Sequence, residues 1–252
     1  MKKQLKIVLQ AHLPSSLYDA IVVSYWRVKN RFATRYELES RFLRHFIRPG
    51  DLVVDLGVNL GQYTTVMAGL VGPRGYVIGF EALPSTYALA RRIVRGKRNV
   101  TLHNLAVSSK GGILKMKLFY DEENLLNRGL SSIVPDDSSS APGQVVEVRS
   151  VTLDEMLADR RQRVAFIKCD VEGHEVGALS GGMNVISKDE PFILLETGRR
   201  NFNTVRELLG SLGYFPTQAQ GPGKLMLAGE CQVDSANYFF IKDRSAVSSL
   251  LV

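Results

Sequence analysis

Cysteine and long apolar runs are the features that this sequence most clearly lacks. Its two cysteines, Cys169 and Cys231, are too few for a disulfide framework, and neither lies in a CxxC pair that would indicate structural zinc. No stretch approaches the ~20 consecutive apolar residues that a membrane-spanning helix needs. The apolar stretch at the N-terminus is too short and too interrupted for a signal peptide. The sequence therefore predicts a cytoplasmic protein that is neither secreted by a cleavable signal nor integral to a membrane.

Acidic residues are scarce only at the start of the chain. The 252 residues carry 32 Lys and Arg against 25 Asp and Glu, which gives a net charge of +7. Residues 1–48 hold ten of the basic residues and three of the acidic ones, so the whole excess lies there. Such a segment can contact an anionic membrane, a nucleic acid or an acidic substrate. The alternative is a solvated helical face, and the sequence leaves both interpretations open.

Residues 1–48 are predicted to form a basic helical extension of a domain that spans residues 49–252. Apolar residues recur at helical spacing in two groups, and Pro49-Gly50 then ends the pattern. The two groups are Tyr18, Ile21, Val22, Tyr25 and Val28, and then Leu38, Phe42, Leu43 and Phe46. These residues suit a stripe that packs on the domain while the charges face water. Docking on an anionic membrane surface is the second possibility.

From residue 51 the pattern changes to strands that alternate with helices. Strands are predicted over 52–55, 76–81, 100–104, 113–119, 164–169, 192–196 and 238–241, and helices over 60–70, from Pro84, near 174–187 and over 201–212. This alternation predicts an α/β fold with a mainly parallel sheet flanked by helices. Residues 121–144 are rich in Ser, Asp, Gly and Pro and predict a long loop, a mobile lid whose Ser131 and Ser132 touch the ligand.

A glycine turn follows the first predicted strand and opens the first helix of the domain. It contains Asp55, Gly57, Asn59 and Gly61, in a spacing that does not fit the GxGxxG fingerprint of dinucleotide-binding proteins. Glycines there let the backbone approach a ligand, and the helix N-terminus favours an anion. An acid just before the first glycine suits a cation. The combination indicates S-adenosylmethionine, with Asp55 near its ammonium or sulfonium and the helix N-terminus near its carboxylate.

A second acid supports this cofactor. Glu81 ends the second strand, 26 residues after Asp55. A carboxylate at that place can accept hydrogen bonds from both hydroxyls of a ribose, as an acid does in dinucleotide-binding folds. The alternative is an acid at a strand end that only faces water.

Four further acids lie at the ends of two later strands. They are Asp170, Glu172, Glu175 and Glu196. Asp170 is expected to bind the amino group of the cofactor, and Glu172 or His174 is expected to accept the proton of an acceptor hydroxyl. Glu175 could instead cap a helix, and Lys168 could pair with an acid. Asp170 and Glu196 are oxygen ligands of the kind that Mg²⁺ accepts, but no fixed ligand spacing is visible, so a metal is possible and not predicted.

These motifs resemble the FkbM family of methyltransferases. The matching segments are VDLGVNLGQYT (54–64), GFE (79–81), NLAV (104–107), SS (131–132), TLD (152–154), IKCDVEGHE (167–175) and PFILLE (191–196). The resemblance covers roughly residues 51–197 in family order. One departure is that the family commonly has proline directly after the second-strand glutamate, whereas Ala82-Leu83 delays it here to Pro84.

The resemblance implies a fold and a reaction class. The fold is the Rossmann-like class I methyltransferase fold, the donor is S-adenosylmethionine, and the typical reaction is O-methylation of sugars, lipids or natural products. The matched positions imply that Tyr63, Ala106 and Ser132 join Asp55, Gly57, Asn59, Gly61, Glu81 and Asp170 in binding the cofactor. The basic extension and the residues after 200 lie outside the resemblance, so the acceptor is poorly constrained.

Other functions compete with methylation of a small molecule or glycan. The basic N-terminus permits methylation of nucleic acid or protein. However, the sequence has no Asn/Asp-Pro-Pro-Tyr/Phe motif of DNA amino methylation and no paired catalytic cysteines, so a nucleic-acid substrate is not favoured. A binding protein without activity is a further alternative, which the intact motif residues disfavour. The sequence predicts no oligomeric state.

Overall fold

The computed structural model describes residues 12–32, 38–120, 126–134, 144–221, 223–229 and 236–251. Its α-helices are α1 (Ser15–Asn30), α2 (Leu38–Phe46), α3 (Gln62–Val71), α4 (Pro84–Ile93), α5 (Leu153–Met156), α6 (Glu175–Ser180), α7 (Met183–Asp189) and α8 (Arg199–Gly210). Its strands are β1 (Leu52–Leu56), β2 (Tyr76–Phe80), β3 (Val100–His103), β4 (Ala106–Val107), β5 (Gly112–Tyr120), β6 (Leu126–Val134), β7 (Gln144–Val151), β8 (Val164–Cys169), β9 (Phe192–Thr197), β10 (Phe215–Ala219), β11 (Leu225–Leu227) and β12 (Ala236–Ile241). None of these helices is long and apolar enough to span a bilayer.

The main sheet has eight strands in the order β11-β10-β12-β9-β8-β1-β2-β3. Strands β9, β8, β1, β2 and β3 are parallel, whereas β12 runs antiparallel to both β9 and β10. The chain leaves β1 toward β2 on one side and later returns to β8 on the other. This reversal makes a switch point between β1 and β8, and ligands of such sheets bind at the carboxyl ends of the strands beside it.

The core explains why β1 and β8 are nearly continuous apolar runs. Successive residues of a strand point to opposite faces, and both faces of this sheet are covered by helices. Val54 packs in a cluster with residues of α6, α7 and α8, whereas Val53 packs in a second cluster with residues of α2 and α3. The predicted α/β fold with a mainly parallel sheet is therefore confirmed.

The two N-terminal helices pack on the domain in different ways. In α2, Phe46 stacks on Phe239 with ring centres 5.0 Å apart, so this helix belongs to the core of the main sheet. Helix α1 buries Tyr18 and Val22 against the glycine turn and α4. Its Tyr25 and Val28 are exposed to solvent, so the expectation that the whole predicted stripe packs on the domain is wrong for these two. The boundary at residue 48 stays a prediction.

A second sheet of four strands has the order β4-β7-β5-β6. Strand β6 spans Leu126–Val134, so the predicted loop over 121–144 is wrong at these residues, and 121–125 and 135–143 lie outside the described residues. Strand β6 could not be predicted from the sequence, because its polar residues interrupt the apolar alternation that usually indicates a strand. As an edge strand, β6 pairs with β5 through backbone hydrogen bonds, which do not require apolar side chains.

Candidate active site

A pocket lies at the carboxyl ends of β1, β2 and β8, beside the switch point of the main sheet. One part of its wall is polar and the other is apolar. The polar or turn residues are Gly57, Asn59, Glu81, Thr86, Asp170, Glu172 and His174, and the apolar ones include Leu83, Leu105, Ala106, Met116 and Ile133. A neighbouring cleft is bordered by Tyr63, Lys168 and Glu196. Most of the predicted site residues therefore meet in one place.

The glycine turn brings two strand ends into close contact. Gly57 has a φ of +82°, and a Cβ there would lie 1.8 Å from the carbonyl oxygen of Asp170. Its own N–H donates to the carbonyl of Phe80, so the turn is fixed from both neighbouring strands. Gly61, with a φ of +72°, precedes the first residue of α3. Only glycine combines this backbone conformation with this proximity.

The Glu81 side chain connects the glycine turn to the loop after β2. Its Oε2 accepts a hydrogen bond from the N–H of Asn59 at 2.8 Å, and its Oε1 accepts one from the N–H of Leu83 at 3.0 Å. Burial raises the pKa of Glu81 to about 6, although these two hydrogen bonds favour the carboxylate. Asn104 holds the loop in place through hydrogen bonds to the carbonyls of Glu81 and Ala82. Each carboxylate oxygen can accept a further hydrogen bond, and Glu81 lines the pocket.

Lys168 lies between two carboxylates below the glycine turn. Asp55 and Lys168 are register partners on the parallel strands β1 and β8, so their side chains lie on the same face. The Lys168 ammonium is 2.9 Å from Asp170 Oδ2, 3.8 Å from Asp55 Oδ1 and 3.0 Å from the carbonyl oxygen of Gly57. Burial alone lowers the pKa of Lys168, but the two carboxylates outweigh it, and the pKa lies above its usual range.

Asp55 lies deeper than the sequence suggested. Its side chain is fully buried, Thr64 donates a hydrogen bond to its Oδ2, and it does not line the pocket. Burial raises the pKa of Asp55, and the Lys168 ammonium acts in the opposite direction. In this structure Asp55 pairs with the Lys168 ammonium. The same ammonium contacts the Asp170 carboxylate and the carbonyl of Gly57 in the glycine turn. A direct contact of Asp55 with a cofactor stays a prediction.

The two candidate bases line the same pocket. Glu172 has a φ of +50°, a left-handed backbone conformation that is costly for a residue with a Cβ. Burial, together with the charges of Asp170 and Glu196, raises the pKa of Glu172 to about 8. His174 Nε2 lies 2.9 Å from the Ser108 hydroxyl, and burial lowers the pKa of this imidazole. A strained backbone such as that of Glu172 is typical of functional sites.

Other predicted site residues have different places. Ser132 does not line the pocket, because alternate residues of a strand face opposite sides and its neighbour Ile133 is the one at the wall. Glu175, the first residue of α6, accepts hydrogen bonds from the N–H of Gly173 and from Asn201. Neither donor is a backbone N–H of α6, so the alternative that Glu175 caps this helix stays a prediction. Across the parts of the chain that the structure describes, no three His, Cys, Asp or Glu side chains are placed to hold a metal ion.

Sequence reasoning missed the apolar wall and one polar residue of the pocket. Thr86, in the first turn of α4, lines the pocket, is 1% exposed and has no hydrogen-bond partner for its hydroxyl among the described residues. A buried polar group without a partner in the wall of a pocket is a candidate to bind a ligand or water there. Met116 and Ile133 come from the second sheet, so no motif near the glycine turn could have revealed them.

Replacing Gly57 with alanine is expected to lower the free energy of unfolding by about 2–3 kcal/mol, because the methyl group would overlap the Asp170 carbonyl in a left-handed turn. Gly96 is the matched control, since it has a φ of +96° in a turn closed by a hydrogen bond from Lys97 to Val94, and no described atom lies within 4 Å of the place that a Cβ would take. Gly96→Ala should cost only about 1 kcal/mol, for the left-handed backbone conformation. Urea unfolding followed by circular dichroism measures both. Equal losses would show that the contact between Gly57 and Asp170 is unimportant.

Comparison with known proteins identifies the family. The methyltransferase FkbM domain matches residues 55–216. The chain is 28% identical over 217 residues to 31-O-demethyl-FK506 methyltransferase FkbM of Streptomyces tacrolimicus, which covers 74% of this chain and 78% of the relative. It is 40% identical over 58 residues to a protein-L-isoaspartate O-methyltransferase of Ignicoccus hospitalis, or 22% of this chain and 28% of the relative.

Solved structures include an FkbM methyltransferase from Methylobacillus flagellatus. The two structures superimpose with a TM-score of 0.49 at 16% sequence identity. The match covers 76% of this chain and 43% of the Methylobacillus protein. The matched range 55–216 holds the glycine turn, Glu81 and the segment 167–175, all of which meet at the pocket. The mainly parallel sheet with helices on both faces is the class I methyltransferase fold that the resemblance implied. The chain belongs to the FkbM family of methyltransferases.

Proposed function

We propose that the protein transfers the methyl group of S-adenosylmethionine to a hydroxyl oxygen of a sugar, a glycolipid or another small natural product. The observation that carries the proposal is the single pocket that holds both Glu81, at the end of β2, and Glu172, after β8. The carboxylate of Glu81 suits hydrogen bonds from ribose hydroxyls, and the carboxylate of Glu172 suits acceptance of a proton from the acceptor hydroxyl. Family membership supports methyl transfer, and the name of the relative from Streptomyces tacrolimicus supports an oxygen acceptor.

The residues present fit this cofactor. Glu81 has free acceptor positions for ribose hydroxyls, and the orphaned Thr86 hydroxyl is available to the same ligand. Leu83, Leu105 and Met116 offer an apolar wall of the kind that suits a flat adenine ring. The carboxylate of Asp170 is oriented by Lys168, the backbone carbonyl of Asp170 lies against Gly57, and this carboxylate suits an ammonium group. When bound, S-adenosylmethionine supplies an electrophilic methyl group at its sulfonium centre.

The chain itself supplies orientation and a proton acceptor. Glu172 lies in the wall of the pocket and also in that of the adjoining acidic cleft with Glu196 and Thr197. In its ionised form its carboxylate accepts the proton of the attacking hydroxyl, which makes the oxygen a better nucleophile. The raised pKa matches this task, because a base with a pKa near the working pH holds a proton firmly enough to remove it.

His174 is the second candidate base, and one observation supports Glu172 over it. Its Nε2 is already engaged with the Ser108 hydroxyl at 2.9 Å. Serine can donate that hydrogen bond to a neutral imidazole, and the lowered pKa of His174 favours the neutral form. His174 then shapes the pocket wall at the start of α6. If Glu172 is the base, kcat/KM should rise with pH as its carboxyl group ionises. If His174→Gln abolishes this rise while Glu172 is intact, His174 is the base instead.

The test of the proposed reaction is direct. Purified protein is incubated with isotopically labelled S-adenosylmethionine and with fractionated sugars, glycolipids and small natural products. The expected result is an acceptor that gains the mass of one CH₂ group with the label, as a methyl ether. A label recovered only in nucleic acid or protein, when these are supplied, would overturn the proposed acceptor class. Failure to bind S-adenosylmethionine would overturn the proposed function as a whole.

The Glu81→Gln variant is expected to bind S-adenosylmethionine about 10- to 150-fold more weakly than the wild type. The reason is that a hydrogen bond to a charged group contributes about 1.5–3 kcal/mol. Isothermal titration calorimetry measures the affinity. Glu207→Gln is the matched control, because Glu207 is exposed on α8 and does not line the pocket. Unchanged affinity in a folded Glu81→Gln protein would contradict the ribose contact.

A further inference from the structure

Helix α1 exposes an apolar stripe on the side that faces away from the domain. Leu17 is 49% exposed, Tyr25 36%, Val28 59% and Phe32, in the turn that follows α1, 42%. At 100° per residue, these positions and the half-buried Ile21 fall within one stripe about 80° wide. The buried face of the same helix lies on the other side. Helix α1 is therefore apolar on two faces, and on the second of them Leu17, Tyr25 and Val28 are exposed.

The buried face of α1 is accounted for. Tyr18, Val22 and Val23 pack against Leu60 of the glycine turn and against Leu89 and Ile93 of α4. Asp19 of α1 also faces α4, since its carboxylate lies 3.5 Å from the guanidinium of Arg92 in that helix. This packing fixes the orientation of α1 on the domain. Turning the exposed stripe toward the domain would break the packing of the buried face on α4 and the glycine turn. The stripe therefore stays on the outer side of α1.

Cations flank the exposed stripe on both sides. Helical geometry places Lys29 about 80° from the centre of the stripe in one direction and Arg31 about 80° in the other. Arg31 is exposed, whereas the half-buried Lys29 holds its ammonium 4.2 Å from the centre of the Trp26 ring, which packs against the buried cluster of α1. The acid of this helix, Asp19, is directed toward α4. The outward side therefore combines apolar and aromatic residues with positive charge.

We propose that this stripe, with Lys29 and Arg31, docks on the surface of an anionic lipid bilayer. A helix with aromatic and aliphatic residues on one face and cations beside them lies in the plane of the interface, with its apolar side among the headgroups. The flanking cations complement anionic lipid, and the +7 excess within residues 1–48 acts in the same direction. The proposal goes beyond the proposed reaction, and vesicle binding tests it without any methyl transfer.

Docking through α1 would also bring the cofactor turn near the membrane. The buried Asn30, the last residue of α1, donates a hydrogen bond from Nδ2 to the carbonyl oxygen of Leu60 at 2.9 Å. Leu60 lies between Asn59 and Gly61 in the glycine turn. A helix with its side chains is ~10 Å across. The turn therefore lies within about one helix diameter of the docked surface, which suits an acceptor carried by a lipid.

The experiment is cosedimentation of the full chain with two kinds of vesicle at low and moderate salt. One vesicle contains phosphatidylcholine alone, and the other contains equal parts of phosphatidylcholine and phosphatidylglycerol. The wild type should bind the anionic vesicle only, and salt should weaken this binding because it screens charge. Neutralising Lys29 and Arg31 together, as K29Q/R31Q, should weaken the partition roughly 25-fold, at about fivefold per cation. The control K188Q/K224Q removes two exposed cations elsewhere and should bind as the wild type does.

A matched pair of variants tests the apolar stripe. Val28 and Ile113 are both 59% exposed, and Ile113 lies on the second sheet. Val28→Asp should abolish vesicle binding, whereas Ile113→Asp should leave it intact, and circular dichroism confirms that both are folded. Absence of wild-type binding at low salt, equal behaviour of the two Asp variants, or equal binding to both vesicles would overturn the proposal. So would a concentration-dependent dimer that Val28→Asp disrupts in the absence of lipid binding.

Discussion

Replacing Lys168 with methionine is expected to lower the free energy of unfolding by about 3–5 kcal/mol at neutral pH. Methionine fills most of the space of the lysine side chain but removes the cation that lies between Asp55 and Asp170. The fully buried Asp55 would then keep its hydrogen bonding from Thr64 but no compensating charge. The carbonyl of Gly57 would also lose its donor. Removing one partner of a buried ion pair is costly because the other charge stays desolvated.

The pH dependence of this loss gives a second measurement. Without the ammonium, the pKa of Asp55 in the folded state, already raised by burial, rises further. A folded carboxyl with a raised pKa binds protons that the unfolded chain has released, so stability falls as the pH rises between the two pKa values. The loss in Lys168→Met should therefore be smaller at mildly acidic pH than above neutrality. Urea unfolding at several pH values checks this sign.

Two controls separate the buried cation from a general loss of charge. Lys242→Met breaks an ion pair of Lys242 with Glu190 in which both side chains are at least one-third exposed, and such pairs contribute ~0–1 kcal/mol. The double variant Asp55→Asn/Lys168→Met should recover part of the lost stability, since a neutral amide needs no cation. An unfolding free energy of Lys168→Met equal to that of Lys242→Met would show that the pairing around Asp55 does not stabilise the fold.

The register of two strands explains how far the site could be predicted. The positions of Asp55, Glu81 and Asp170 at strand ends followed from the alternation of strand and helix signals, because parallel strands share one carboxyl edge. How deeply each of these carboxyl groups is buried could not be predicted from the same alternation. Asp55 belongs to β1 itself and lies beside Lys168, whereas Asp170 comes one residue after β8 and lines the pocket. Asp55 lies one residue before the last residue of its strand and Asp170 one residue after, and this difference of two residues decides which carboxyl group is covered.

Other differences arise from long-range contacts that local patterns do not contain. The predicted helix near 174–187 is two helices, α6 and α7, separated at Gly181-Gly182. A Cβ at Gly181 would lie 1.9 Å from the carbonyl oxygen of Ser108, a residue more than 70 positions earlier, so the break follows from packing. Strand β10 was not predicted because Pro216 and Gln218 interrupt its apolar pattern. It forms because β11 and β12 supply hydrogen bonds on its two sides.

Replacing Glu172 with glutamine is expected to lower the rate of methyl transfer about 10²- to 10⁴-fold, the usual contribution of a positioned general base. Glutamine has nearly the same shape but cannot accept the hydroxyl proton. The affinity for S-adenosylmethionine should change little, because the proposed ribose and ammonium contacts belong to Glu81 and Asp170. Single-turnover kinetics with the acceptor and calorimetry without it separate the two effects.

Glu190→Gln is the matched control for this variant. Glu190 also has a left-handed backbone, with a φ of +49°, but it is exposed at the end of α7 and pairs with Lys242. Its replacement should leave the rate unchanged. A similar loss of rate in both variants would show that the effect does not depend on a base in the pocket, and a rate in Glu172→Gln close to that of the wild type would remove Glu172 from the mechanism.

The pH profile gives the sign of the proton transfer. The pKa of Glu172 in the free enzyme is raised to about 8, chiefly by burial and then by Asp170 and Glu196, so the carboxyl group is protonated below that pH. Only the carboxylate can accept a proton, and kcat/KM should therefore rise with pH through about 8 and then level off. Glu196→Gln removes one of the charges that raise this pKa, so the rise should move to lower pH while Glu172 stays in place. A rise that persists unchanged in Glu172→Gln, or that Glu196→Gln leaves at the same pH, would show that another group accepts the proton.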